Sequence, residues 1–194
     1  MDDMQFNRSK HVFHSNAFDE IIKDTIRFFN GTPVHKLPPP VTFTGTGVYA
    51  IYYIGKSNYY TKLYEQNRLG FVQPIYVGKA VPRGWRQARV ASVGNESREL
   101  YRRLNDHANS INHVKNLKLD DFHCRFMILE HAASDMIGTV EAALIRTYTP
   151  VWNSVIDGFG NHDPGKGRTG SFRVGYSAPW TRMGCEMFWN IIVS

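Results

Sequence analysis

The chain has 194 residues, enough for one hydrophobic core with elaborations rather than for two independent domains. Its 42% hydrophobic and 13% aromatic content exclude a disordered polymer, and no apolar run reaches membrane-spanning length. With 23 Lys and Arg against 17 Asp and Glu, the net charge of +6 favours a polyanionic partner, because Lys and Arg release counterions when they neutralise phosphates.

In chain order, residues 16–29 (NAFDEIIKDTIRFF) carry Phe18, Ile21, Ile22, Thr25, Ile26 and Phe29 at helical spacing, with Asn16 as N-cap and Gly31 as stop. The run LPPP at 37–40 cannot continue a helix, so residues 1–40 read as an arm or docking helix ahead of the main fold. Residues 47–54 and 74–80 read as strands, rich in β-branched and aromatic side chains. A basic stretch follows, then a helix over 97–111, a third strand over 122–130 and a second core helix over 134–149, stopped by Pro150. Residues 154–194 are Gly-rich and aromatic without periodicity. The two cysteines, Cys124 and Cys185, follow no metal-type spacing, and the opening MDDMQFNRSK lacks a signal-peptide pattern, so the expectation is a reduced, cytoplasmic setting.

The first strand contains GVY at 47–49 and YYIG at 52–55. Alternation puts Tyr49, Ile51 and Tyr53 on one face and Val48, Ala50 and Tyr52 on the other. Tyr53 stands about 13 Å along the strand from Tyr49, too far to share one phosphate with it. Directly opposed residues on neighbouring strands lie about 5 Å apart, so Tyr76, in IYVGKA at 75–80, is the better partner. The YYIG is a decoy.

On the helix at 97–111, Leu100, Leu104, Ala108 and Ile111 define the buried stripe. At about 100° per residue, His107 falls within that stripe, Arg103 on its edge, and Arg102 toward solvent. A histidine on an apolar face is often only a satisfied core residue. An arginine one turn before it points to a bound anion, since a guanidinium is seldom buried without one. On the second core helix, Glu141 lies inside the apolar face with Val140, Leu144, Ile137 and Tyr148. A carboxylate there must be paired, with Arg103 as the structural candidate, or hold a hard cation such as Mg²⁺ together with waters.

The ordered set Gly47-Val48-Tyr49, Tyr76-Val77-Gly78, Arg103 with His107, Glu141 and Asn153 resembles the GIY-YIG nuclease superfamily over residues 43–155. The gap between the two halves is wider than usual, and so is the stretch from Gly78 to Arg103. Arg86 stands at the commoner distance after Tyr76, but Val90 rather than a histidine lies four residues beyond it, which selects Arg103. Such insertions, with terminal extensions, resemble the type II restriction endonucleases of the superfamily, and among those the group that cuts CCGCGG.

The resemblance implies an α/β (α+β) layer, with a small central antiparallel sheet of about three strands flanked by helices. It implies one compact domain: an arm at 1–40, a nuclease core at 41–155 with a basic insertion around 79–98, and a C-terminal extension at 156–194. The implied chemistry is hydrolysis of double-stranded DNA with one Mg²⁺ or Mn²⁺ per active site. Glu141 would hold the metal, Arg103 neutralise charge, Tyr76 position phosphate or water, and Asn153 orient its neighbours. Tyr49 would accept the proton of the attacking water, helped by His107, or His107 alone would be the base. A palindromic target implies a homodimer.

Arg83, Arg86 and Arg89 in the insertion, and Lys166, Arg168 and Arg173 in the extension, are candidate DNA readers, with solvated basic loops as the alternative. The stretch GNHDPGKG at 160–167 ends in glycine where a phosphate-binding loop needs Ser or Thr, which argues against a nucleotide cofactor. The cluster DDFHC at 120–124 sends His123 and Cys124 to opposite faces, which argues against a metal site. Rival functions are a repair or homing-type nuclease and a non-catalytic DNA-binding module.

Overall fold

The computed structural model describes residues 6–81, 85 and 97–155. Helix α1 spans Asn16–Gly31, and its N-cap is Ser15 rather than Asn16: the Ser15 hydroxyl accepts from the Phe18 N–H at 3.3 Å. Strand β1, Val34–Lys36, follows at once. Then come β2 (Gly47–Tyr53), α2 (Thr61–Asn67), β3 (Tyr76–Ala80), α3 (Glu99–Asn112), β4 (Phe122–Ile128), α4 (Ile137–Tyr148) and the short α5 (Val151–Ser154). Helix α4 ends where Thr149 turns left-handed, at φ 40, ahead of Pro150.

The four strands form one antiparallel sheet in the order β1-β4-β2-β3. The sheet therefore has one strand more than expected, and it comes from the N-terminal forty residues. Val34 pairs with Arg125 and Lys36 with His123, so β4 supplies the hydrogen-bonding edge that makes a three-residue strand possible.

Every residue of β2 is buried because helices cover both faces of the sheet. Tyr49, Ile51 and Tyr53 pack in one apolar cluster with Leu100, Leu104, Ala108 and Ile111 of α3. Val48, Ala50 and Tyr52 pack in another with Phe29 of α1 and Ile137, Val140 and Leu144 of α4. Both expected faces of this strand are as found. Burying an apolar side chain of this size contributes about 1.5–3 kcal/mol, so these two clusters fix which helix lies on which side. Only the C-terminal half of α1 reaches the core: Phe29 is buried, while Phe18 and Ile21 are exposed.

The wide gap between the two sequence halves holds α2 and a buried knot at Asn67. Its amide donates to the carbonyls of Tyr53 and Gln73 at 3.1 and 2.8 Å, and its oxygen accepts from the Gln73 N–H at 2.8 Å. These bonds return the chain to the sheet in time for β3. Within the decoy segment, Tyr53 meets Tyr60 edge-on and Phe122 at a tilt, and Tyr52 lies beneath Arg125 on the other face.

Candidate active site

Strands β2 and β3 run antiparallel with Tyr49 opposite Gly78 and Ile51 opposite Tyr76. This register puts the two tyrosines diagonally across the ladder, with ring centroids 6.2 Å apart. Helix α3 crosses that face and brings His107 to both: its ring centroid lies 5.4 Å from that of Tyr49 and 5.2 Å from that of Tyr76. The Tyr49 hydroxyl meets His107 Nε2 at 2.6 Å, with both side chains buried. Three residues that are far apart in sequence thus form one contiguous group.

Burial pushes the Tyr49 phenol well above its ordinary value of 10.0, and the neighbouring Tyr76 adds to the rise. The Arg103 guanidinium opposes it and the Glu141 carboxylate reinforces it. Tyr49 is therefore a neutral phenol at physiological pH. It can take a proton only by giving its own away, and His107 Nε2 is placed to receive it. The helical phases hold. Arg103 is half-buried one turn before His107, while Arg102 is exposed and bridges Glu99 at 2.6 Å and Asp106 at 2.9 Å.

Glu141 lies on α4, the helix that packs under the opposite face of the sheet, yet its carboxylate is near enough to Tyr49 to raise that phenol. It forms an ion pair with Lys79 of β3, not with Arg103. The reason is topological: Arg103 stands on α3, across the sheet, whereas Lys79 alternates with Gly78 and points toward α4. Lys79 was missed in the sequence, although a lysine between Gly78 and Ala80 on a mostly apolar strand is a readable signal. The Glu141 side chain is 17% exposed and that of Lys79 37%. Among the described residues no group of three or more His, Cys, Asp or Glu gathers around a common point.

Asn153, on α5, grips β3 from outside: its side-chain oxygen accepts from the Val77 N–H and its amide donates to the Val77 carbonyl, each at 2.8 Å. The residue holds the strand segment between Tyr76 and Gly78. Helices α3, α4 and α5 all contact β3, which makes this short strand the hub of the arrangement.

Arg83, Arg86, Arg89, Lys166, Arg168 and Arg173 lie outside the described residues, as do the GNHDPGKG stretch and Cys185. His123 and Cys124 do face opposite ways, His123 against Phe71 and Cys124 within the cluster that holds Tyr49. No helix among the described residues is long and apolar enough to cross a membrane.

A small antiparallel sheet flanked by helices, with a tyrosine on each of two neighbouring strands beneath a helix bearing Arg and His, is consistent with the GIY-YIG fold. The chain belongs to the Eco29kI GIY-YIG domain family, whose model matches residues 41–179, well over half its length. It is thus a restriction endonuclease of the GIY-YIG type, and its substrate is DNA. No curated protein matches the chain.

Proposed function

We propose that the chain is a type II enzyme hydrolysing double-stranded DNA within a short GC-rich palindrome, CCGCGG, as a homodimer in which each subunit cuts one strand. The observation that carries the chemistry is the 2.6 Å contact between the Tyr49 hydroxyl and His107 Nε2. The attacking water gives its proton to the Tyr49 oxygen as the Tyr49 proton passes to His107. The new P–O bond forms while the P–O3′ bond breaks, and the departing 3′ oxygen is protonated by solvent. Arg103 neutralises the charge that grows on the phosphoryl oxygens, and Tyr76, against both Tyr49 and His107, positions the phosphate.

Glu141 suits a hard divalent cation, Mg²⁺ or Mn²⁺, one per site: it is a mostly buried carboxylate that already holds a positive group, the Lys79 ammonium. When bound, such a cation supplies Lewis-acid neutralisation of the phosphate and the leaving oxygen. Asn153 keeps β3, and with it Tyr76, in register. The reaction needs no nucleotide cofactor. Arg83, Arg86, Arg89, Lys166, Arg168 and Arg173 are the proposed DNA contacts, since Arg pairs bidentately with guanine.

A digest of long linear DNA of known sequence tests this reading, with Mg²⁺, with EDTA, and with Glu141→Ala. Discrete fragments in the Mg²⁺ reaction alone, with ends at one palindrome, are expected. A metal-dependent smear would remove the site specificity and leave a nuclease of the repair or homing type. Intact DNA bound by folded protein in every reaction would leave a binding module. If Tyr49→Phe cleaves near normally while His107→Ala does not, His107 alone is the base.

A further inference from the structure

The Lys79–Glu141 pair has a consequence for how a metal reaches the site, resting on the reading of Glu141 as its ligand. We propose that Lys79 is the resident counter-ion of the metal site and competes with the divalent cation for the Glu141 carboxylate. Glu141 is carried by α4, whose Val140 and Leu144 enter the core, and its own mostly buried carboxylate, 17% exposed, cannot stand bare. The ammonium of Lys79 supplies the compensating charge. A single carboxylate cannot hold that ammonium and a divalent cation in contact at once, because the two cations repel each other at such distances.

The two partners differ in their freedom to leave. The Lys79 side chain is 37% exposed and can swing its ammonium into water, whereas Glu141, at 17%, stays. The backbone of Lys79 does not move with it, since it is paired across the ladder to Val48 and the strand is gripped at Val77 by Asn153. Binding is therefore an exchange of one cation for another at a fixed carboxylate. The pair keeps the site charge-balanced and folded before metal arrives, at the cost of metal affinity.

The test is a Tb³⁺ luminescence titration of the full-length chain, with Tb³⁺ as a hard, oxygen-seeking probe and tyrosine excitation as the readout. Wild type is compared with Lys79→Met, which keeps the aliphatic stem and removes the charge, with Lys79→Arg, which keeps the charge, and with Glu141→Gln. Lys79→Met is expected to bind Tb³⁺ at least about threefold more tightly than wild type, the scale of a half-exposed ion pair. Its thermal midpoint should start lower and rise further on adding Tb³⁺, because the ion then relieves an unpaired carboxylate. Lys79→Arg should bind no more tightly than wild type. Glu141-dependent binding that is unchanged or weaker in Lys79→Met overturns the competition while leaving Glu141 as the ligand. Binding that ignores Glu141→Gln, or none in either wild type or Lys79→Met, overturns the metal assignment and the competition with it.

Discussion

Gly78 lies directly across the β2–β3 ladder from Tyr49, and the space its missing side chain leaves is filled by the Tyr49 phenol. A Cβ at Gly78 would fall 2.6 Å from the Tyr49 hydroxyl and 2.9 Å from Cε1 of Tyr76. Gly78→Ala therefore pushes on both tyrosines and moves the hydroxyl off His107. Overpacking of this kind costs about 1–3 kcal/mol of stability. A misplacement of about 1 Å costs about 100-fold in rate, so cleavage should suffer far more than folding. Single-turnover cleavage and urea unfolding of one preparation separate the two. A near-normal rate in Gly78→Ala would mean that the contact with His107 is dispensable.

Arg102 and Arg103 allow a test in which net charge is held constant. Each alanine variant removes one positive charge, so a difference between them reports position alone. Arg102 is exposed and bound to the exposed Asp106 and the part-buried Glu99, so Arg102→Ala should cost about 1 kcal/mol and leave cleavage intact. Arg103→Ala should slow cleavage about 100-fold or more, as removal of a group that stabilises the transition state does. Equal rates in the two variants would remove Arg103 from the site.

Loss of the Asn153 grip should be visible in the backbone. Asn153→Ala leaves the Val77 N–H and carbonyl without their partners, at about 0.5–1.5 kcal/mol for each bond. Asn153→Asp keeps the acceptor but sets a carboxylate oxygen against the Val77 carbonyl, and should be at least as damaging. Denaturant unfolding gives the stability change. Amide exchange at Val77 gives its location, and full protection there in Asn153→Ala would contradict the grip.

Alkaline pH should weaken the fold in a defined window. Burial pushes the Cys124 thiol from 9.0 to about 12 and the Tyr52 phenol from 10.0 to about 12, and raises Tyr49 as well. Each group binds its proton more tightly folded than unfolded. Their contribution is therefore complete below the unfolded values and is lost as pH rises toward the folded ones. Urea midpoints should hold steady up to about pH 9 and fall between there and about pH 12. A midpoint that stayed level through that window would mean these side chains are not buried as described.

What the sequence made legible was whatever depends on local periodicity. The two faces of β2 follow from alternation, and the split between Arg102 and Arg103 follows from helical phase. The rejection of YYIG as a second half follows from strand rise alone. Features set by partners distant in sequence were less readable. Strand β1 has no pattern of its own, because three residues become a strand only when β4 offers them an edge. The partner of Glu141 depends on which side of the sheet each helix occupies, and helical phase carries no such information. Asn67 reads as an ordinary polar residue until the loop it ties is folded around it.

Among the described residues strand β3 is an edge of the sheet, and unprotected edges invite other chains to add a strand. Here the short α5 occupies that border. Asn153 takes both outward-facing backbone groups of Val77, and the Trp152 N–H takes the Ile75 carbonyl at 2.9 Å. One asparagine side chain thus imitates a residue of a neighbouring strand and closes the ladder where it would otherwise continue. A second copy, or a misfolded one, would have to unfasten α5 before it could extend the sheet at this point. The border that carries Tyr76 is thereby guarded against strand exchange and fibrillar stacking.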